Sequence, residues 1–141
     1  MQQGSNVIID TNIVVSAAIS LDGAPAKVFE LFLEKKIINY TTEKILSEVR
    51  EVMNRPYFKE HIDEEYRRFI LDALRKHSVI VEPRFNEDAV PQDKADNEFV
   101  NCALTAKADI ISGNKHLLEL VEYKGVKILG AKAFLKSFTQ M

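Results

Sequence analysis

Val7-Ile8-Ile9-Asp10-Thr11-Asn12 is the stretch from which the rest of the chain can be read. Three successive β-branched residues make a short, wholly apolar run, the pattern of a strand buried on both faces. Asp10-Thr11-Asn12 ends the run with residue types that cap helices, and an apolar stretch over residues 13–19 follows. A strand that runs straight into a helix opens a parallel-sheet unit and leaves Asp10 at the strand's carboxyl end. An ionised carboxylate there is costly unless a cation or several donors compensate it. Asp10 is therefore either the cap of the next helix or a ligand, and both readings stay open at this point.

Outward from this stretch, strand and helix patterns alternate. Asp22-Gly23-Ala24-Pro25 reads as a turn with proline placed to open a helix over about residues 26–36, with Val28, Leu31 and Phe32 on one face. Residues 37–40 read as a second strand. Thr41-Thr42-Glu43 caps a third helix that stops near Asn54, before Pro56. Residues 63–77 form a fourth helix with Phe69, Ile70 and Leu74 turned inward. Residues 79–81 read as a strand closed by Pro83, and the aperiodic, Pro91-containing stretch 84–94 as a loop. A fifth helix over about 95–107, a strand at 109–112, a short helix near 115–120, a strand at 126–129 and a helix from Ala131 complete the reading. This alternation predicts an α/β fold with a parallel sheet and helices on both faces, organised as a single domain over residues 1–141. In such a sheet, sites form at the carboxyl ends of the strands where the strand order reverses.

Composition narrows the function classes. Of 141 residues, 46% are apolar and 28% charged, which is ordinary for a folded globular chain. The net charge of −2 argues against a large phosphate-binding surface, yet clustered carboxylates that hold a metal also lower net charge. Cys102 is the only cysteine, which excludes an intramolecular disulfide and a four-cysteine zinc site and points to a reducing, intracellular location. Residues 1–6 carry no basic stretch ahead of a long apolar run, so no secretory signal is expected. No apolar run approaches the roughly 20 residues needed to cross a bilayer. The expected location is cytoplasmic.

Two further acids share Asp10's position problem. At roughly 100° per residue, Ile45, Leu46, Val49, Val52 and Met53 form an apolar stripe on the third helix, with Glu48 on its border and Glu51 well away from it. A border glutamate can simply reach water. Asp96 opens the fifth helix, where the helix dipole favours an acid, but it shares a face with the inward Val100 and Ala103. Asp93, three residues earlier, is available to cap in its place or to join the site. Converging carboxylates repel unless protonated or bridged by a cation. Oxygen donors select a hard ion, magnesium or manganese. Such an ion lowers the pKa of a bound water and stabilises charge on a scissile phosphate, which makes metal-dependent phosphodiester hydrolysis the natural reaction class. No glycine-rich phosphate loop, G-x-S-x-G elbow or H-E-x-x-H motif competes. His61, His77 and His116 lie far apart and read as surface or packing residues.

With these residues in place, the chain resembles the PIN-domain family over nearly its whole length. The features that carry the resemblance are Val-Ile-Ile-Asp10-Thr-Asn12, Glu48 within Leu-Ser-Glu-Val, Asp93-Lys-Ala-Asp96-Asn97, and Ala108-Asp109-Ile-Ile-Ser112-Gly113-Asn114-Lys-His-Leu-Leu. The resemblance implies a three-layer, flavodoxin-like sandwich with a five-stranded parallel sheet. It also implies cleavage of single-stranded RNA with one or two Mg2+ or Mn2+ ions. By position, Asp10, Glu48 and Asp96 match the principal acids, and Thr11 and Asn12 become donors that orient Asp10. Ser112 supplies a hydroxyl beside the site. Asn114 stands where many relatives carry a fourth acid, able to coordinate through its carbonyl oxygen but without charge, with Asp93 as the nearest compensating acid. Lys115 and His116 are candidate substrate contacts. Many such proteins resemble toxins of toxin–antitoxin pairs, which makes an antitoxin protein and a homodimer expected partners.

Two other classes compete. A regulatory or scaffolding domain that binds RNA or protein without cutting is favoured by Asn114. A phospho-acceptor receiver domain shares the fold class, but it needs an acidic pair after the first strand and an aspartate ending a middle strand. Here the first strand ends in one acid, and the third runs into Val81-Glu82-Pro83.

Overall fold

The apolar run of β1 (Ser5–Ile9) is buried from Val7 onward because it lies inside the sheet, paired in parallel with β2 (Ile37–Thr41) on one side and β4 (Asp109–Ile111) on the other. The structure is a computed structural model that describes residues 5–140. The sequence reading of residues 1–4 lies outside that range. With β3 (Val79–Ile80), β5 (Glu122–Tyr123) and β6 (Val126–Leu129), the strand order is β3-β2-β1-β4-β6-β5. The chain winds outward from β1 through β2 and β3 on one side and through β4 and β6 on the other. The order therefore reverses between β1 and β4, whose carboxyl ends carry Asp10 and Ser112.

Every pairing is parallel except β5 with β6. That hairpin is the sixth strand where five were expected. Its turn residues Lys124 and Gly125 both take positive φ, at 48° and 92°, the left-handed backbone that tight hairpins need. Two residues are too few to show a period, which is why β5 left no mark in the hydrophobic pattern.

The helices follow their signals with three departures. α1 (Thr11–Ile19) starts at the cap and buries Ile13, Val14, Val15, Ala17 and Ala18. α2 (Ala24–Leu33) carries proline in its first turn but stops short of residue 36, because Lys35 adopts a left-handed φ of 62°. α3 (Glu43–Met53) is capped by the Thr42 hydroxyl, which accepts from the Ile45 N–H at 3.1 Å, and buries Ile45, Leu46, Val49 and Met53. Pro56 does more than end α3. It opens a short helix, α4 (Pro56–His61), since a missing N–H costs nothing in a first turn. α5 (Glu64–His77) buries Ile70, Ala73 and Leu74, but Phe69 is 49% exposed and stacks on Tyr66 rather than facing the core. The i, i+3, i+4 set of Ile70 defines the buried face, and Phe69 falls a full step to its side.

Residues 81–83 form no helix or strand, although Val81 was expected in the third strand and its N–H still donates to the Thr41 carbonyl at 2.8 Å. Residues 84–93 form none either, as expected. Side chains along one face of α6 (Asn97–Ala106) hold them in place. Asn97 Oδ1 accepts from the Val90 N–H at 2.8 Å, Asn101 Oδ1 from the Glu87 N–H at 2.8 Å, and Thr105 Oγ1 from the Arg84 N–H at 2.9 Å. The i, i+4, i+8 spacing of these three residues lines up one helical stripe of polar groups for an extended segment to bond. A single 3-10 turn, Lys94–Asp96, joins that segment to α6. α7 (Lys115–Leu118) and α8 (Ala131–Thr139) complete the chain. α6 packs on β1, β2, β4 and β6, while α1, α2, α3 and α5 pack against one another and α8 against α2. The result is a mostly parallel sheet flanked by helices, with Ile8, Ile110, Ile111, Phe32 and Met53 among its largest fully buried side chains. Among the described residues no helix is long and apolar enough to cross a membrane.

Candidate functional site

One backbone bond and one side-chain bond set Asp10 at the end of β1. Its N–H donates to the Ile111 carbonyl at 3.1 Å, and the preceding Ile9 N–H is held by the buried Asn39 Oδ1 at 2.8 Å. Only 2% of Asp10 is exposed. One carboxylate oxygen, Oδ1, caps α1 by accepting from the Ile13 N–H at 2.9 Å, and the other, Oδ2, accepts from the Ser112 hydroxyl at the end of β4. Asp10 is thus a cap, and it also carries a second oxygen turned toward the neighbouring strand's end. Burial raises its pKa to about 6, against the opposing donors Ser112, Ile13 and Gly113, with the Glu48 charge adding to the rise.

Glu48 is half-buried on the border of the α3 stripe, where helical spacing put it. Its Oε2 accepts from the Thr11 hydroxyl at 3.0 Å. Burial raises its pKa, the Thr11 bond works against that, and the Asp93 charge raises it further. The expectation that Thr11 and Asn12 orient Asp10 is corrected here. Thr11 serves Glu48, Ser112 serves Asp10, and Asn12 is exposed. The first residues of α1 project in different directions around the helix, so adjacency in sequence to Asp10 does not aim them at it.

Asp96 ends the 3-10 turn and is 6% exposed. Neither it nor Asp93 makes a side-chain capping bond, so the helix start does not account for their carboxylates. Asp96 Oδ2 is buried with no hydrogen-bond partner, and Oδ1 receives only a long 3.5 Å contact from Asn114 Nδ2. A buried, unpartnered carboxylate oxygen is expensive in a folded protein. Burial raises the Asp96 pKa to about 6, the charges of Asp93 and Asp10 raise it further, His116 opposes, and Glu48 adds to the rise. The three acids proposed from the sequence therefore lie near enough to act on one another's charge. Two of them, Asp10 and Asp96, have pKa values raised to about 6, and a nearby cation would lower both.

The tightest grouping differs from that trio. Asp93, Asp96 and His116 each offer a donor atom, and these atoms lie within 4.8 Å of one another. His116 Nδ1 stands 3.8 Å from Asp93 Oδ2. His116, read from the sequence as a surface or packing residue, is partly exposed and stands beside the two acids. Twenty positions separate it from Asp96, and only the close approach of the β4–α7 turn to the 3-10 turn brings them together. Asn114 plays a different part from a carbonyl ligand. Its Oδ1 is taken up in capping α7, accepting from the His116 N–H at 2.8 Å and the Leu117 N–H at 3.3 Å, so it faces Asp96 with its NH2 group. Lys115 is exposed beside this turn. Lys94 pairs with Asp88 at 3.0 Å. At the far end of β4, Asp109 accepts from the Lys127 N–H at 3.0 Å, a structural role away from the cluster.

Two open clefts lie beside the site, one of them lined by Glu48 and the other by none of the acids. One, about 610 Å³, runs between α3 and the start of α6 and is lined by Lys44, Ser47, Glu48, Glu51, Arg55, Lys94, Ala95 and Glu98. The other, about 560 Å³, is bordered by Asn12, Ser112 and Gly113 and by the first residues of α8. Buried carboxylates with an orphaned oxygen fit a hard divalent cation. In the first cleft Lys44 pairs with Glu98 at 3.0 Å and Lys94 with Asp88, which leaves Arg55 as the lining cation beside Glu48 without a salt bridge to an acid among the described residues.

Comparison with known proteins gives the family and the fold. The family described as PIN domain matches residues 6–116. An uncharacterized protein of Methanocaldococcus jannaschii is 41% identical over 115 residues, which is 81% of this chain and 74% of that protein. The crystal structure of PAE2754 from Pyrobaculum aerophilum superposes with a TM-score of 0.58 at 10% identity, covering 99% of this chain and all of that one, a likeness of fold.

Proposed function

The chain belongs to the PIN-domain family, whose members are generally nucleases, and we propose that it is a divalent-metal-dependent endoribonuclease acting on single-stranded RNA. The observation that carries this reading is the buried, unpartnered Oδ2 of Asp96, set among the charges of Asp10, Glu48 and Asp93. Asp10, Glu48 and Asp96 are the residues that would hold the ion, with Asp93 beside them. A bound Mg2+ or Mn2+ supplies a water of lowered pKa and positive charge for the phosphate.

The remaining work falls to the chain's own side chains. Ser112 and the Ile13 N–H fix the Asp10 carboxylate, and Thr11 fixes Glu48, so the donors are oriented before substrate arrives. Arg55 lines the cleft beside Glu48 as the cation available to a phosphate, and Lys44 and Lys94 would have to exchange their Glu98 and Asp88 partners to contribute.

The test is cleavage of a labelled single-stranded RNA across a titration of Mg2+ and of Mn2+. The expected result is cleavage that chelation abolishes and that Asp10→Asn or Asp96→Asn lowers by about a hundredfold or more. Cleavage undiminished in both variants refutes the assigned site. The role of toxin within a toxin–antitoxin pair is the finer reading. It predicts a small adjacent or overlapping gene encoding a DNA-binding protein that binds this chain and blocks cleavage. One observation favours a second reading, a domain that binds RNA without cutting it. Asn114 spends its oxygen on a helix cap and adds no acid, which leaves the cluster short of one charge. Metal-dependent RNA binding without product under every metal condition selects that reading.

A further inference from the structure

We propose that Asp93, Asp96 and His116 form a mixed nitrogen–oxygen metal position that takes a softer first-row transition ion, such as Co2+ or Zn2+, in preference to Mg2+. The inference rests on reading Asp96 as a metal ligand and adds to it a donor, His116, and a class of ion.

Three observations support it. The donor atoms of the three residues lie within 4.8 Å of one another, a spread that small side-chain rotations reduce to the spacing of ligands around one ion. Asp96 is 6% exposed and its buried Oδ2 has no hydrogen-bond partner, so one member of the cluster carries a carboxylate oxygen that nothing binds. His116 Nδ1 stands 3.8 Å from Asp93 Oδ2, too far for a hydrogen bond, so the imidazole is close to the acids without being consumed by them. The Asn114 cap holds the His116 backbone N–H at 2.8 Å, which fixes where the ring starts from.

Donor chemistry then selects the ion. Carboxylates alone suit Mg2+, Ca2+ and Mn2+, whereas an imidazole favours softer first-row ions. Mg2+ keeps its waters and binds through one or two carboxylates, so replacing an oxygen donor by a ring nitrogen gains it little. The His116 ring therefore biases this position away from Mg2+.

The experiment uses the full chain stripped of metal and titrated with Co2+, Zn2+ and Mg2+ by calorimetry, with the visible absorption of Co2+ read in parallel. Wild type is expected to bind Co2+ and Zn2+ more tightly than Mg2+. His116→Ala weakens Co2+ about tenfold or more while leaving Mg2+ within about twofold, and His116→Asp reverses the preference toward Mg2+. Unchanged Mg2+ binding in His116→Ala also shows that the variant is folded. Co2+ affinity and spectrum unaltered in His116→Ala overturn the proposal. So does a His116→Ala variant that keeps Co2+ but loses affinity for RNA, since His116 is then a substrate contact. The two readings fail separately. Co2+ bound through His116 with no RNA cleaved under any metal leaves this site standing and removes the nuclease. Cleavage that proceeds with Co2+ binding indifferent to His116 does the reverse.

Discussion

Asp96→Asn should make the metal-free protein more stable and metal-blind at once. The carboxylate of Asp96 is buried, one oxygen lacks any partner, and its pKa is raised from 3.8 to about 6 by burial and by the charges of Asp93 and Asp10. A folded-state pKa above the unfolded value means that the folded chain holds its proton more tightly. Stability therefore falls as pH rises through the window between 3.8 and about 6, and the full penalty is present above it. A shift of about two units corresponds to roughly 3 kcal/mol. Asparagine keeps the shape and removes the charge, and its NH2 finds acceptors in the neighbouring carboxylates. Some of that gain is lost to altered contacts, leaving about 1–3 kcal/mol. With an unfolding entropy near 2.1 cal/mol/K per residue, each kcal/mol moves the melting temperature of a chain this size by about 3 °C, so the rise is about 3–10 °C at pH 7.5. The assay is thermal unfolding of wild type and variant in chelator, at pH 7.5 and pH 4, then with Mn2+. The expected gap at pH 7.5 closes at pH 4, and Mn2+ raises the wild-type midpoint but not the variant's. A variant less stable than wild type at pH 7.5, or one that Mn2+ stabilises equally, refutes the reasoning.

Thr11→Val removes the hydroxyl that holds Glu48 at 3.0 Å, and about tenfold to a hundredfold loss of RNA cleavage is expected from steady-state rates, with the fold retained. Asn114→Ala deletes the α7 cap and should cost about 1 kcal/mol in urea unfolding, whereas Asn114→Asp keeps the cap, adds an acid and should tighten Mg2+ binding in calorimetry. Asn101→Ala strips two bonds from Glu87, so hydrogen exchange and limited proteolysis should speed up within residues 81–93 before the core is affected. Val121, a β-branched residue 68% exposed at a φ of 61°, should gain about 1 kcal/mol on replacement by glycine, read as a higher urea midpoint.

The site was legible in sequence where an acid sat against a strong local pattern. Asp10 follows a buried strand, Glu48 borders an apolar helical stripe, and Asp96 shares a face with Val100 and Ala103, so the local patterns marked all three as candidates. Pairings across the sheet left no such trace. That Thr11 bonds Glu48 rather than Asp10, or that Asn114 faces Asp96 with its NH2, depends on which elements approach one another. Residues 37 or 18 positions apart in the chain carry no local signal of contact.

What the sequence determined by itself was the alternation of strands and helices, the burial of β1, and the carboxyl-end position of Asp10. Each follows from short-range hydrophobic period, capping and the cost of burying charge, which act within a few residues. Only the tertiary structure decided the β5–β6 hairpin, the outward turn of Phe69 and the entry of His116 into the acid cluster. The hairpin rests on two residues at positive φ, and Phe69 on which side of α5 finds a neighbour. His116 joins Asp93 and Asp96 because the β4–α7 turn comes to rest beside the 3-10 turn, a meeting fixed by sheet order rather than by any residue near it in the chain.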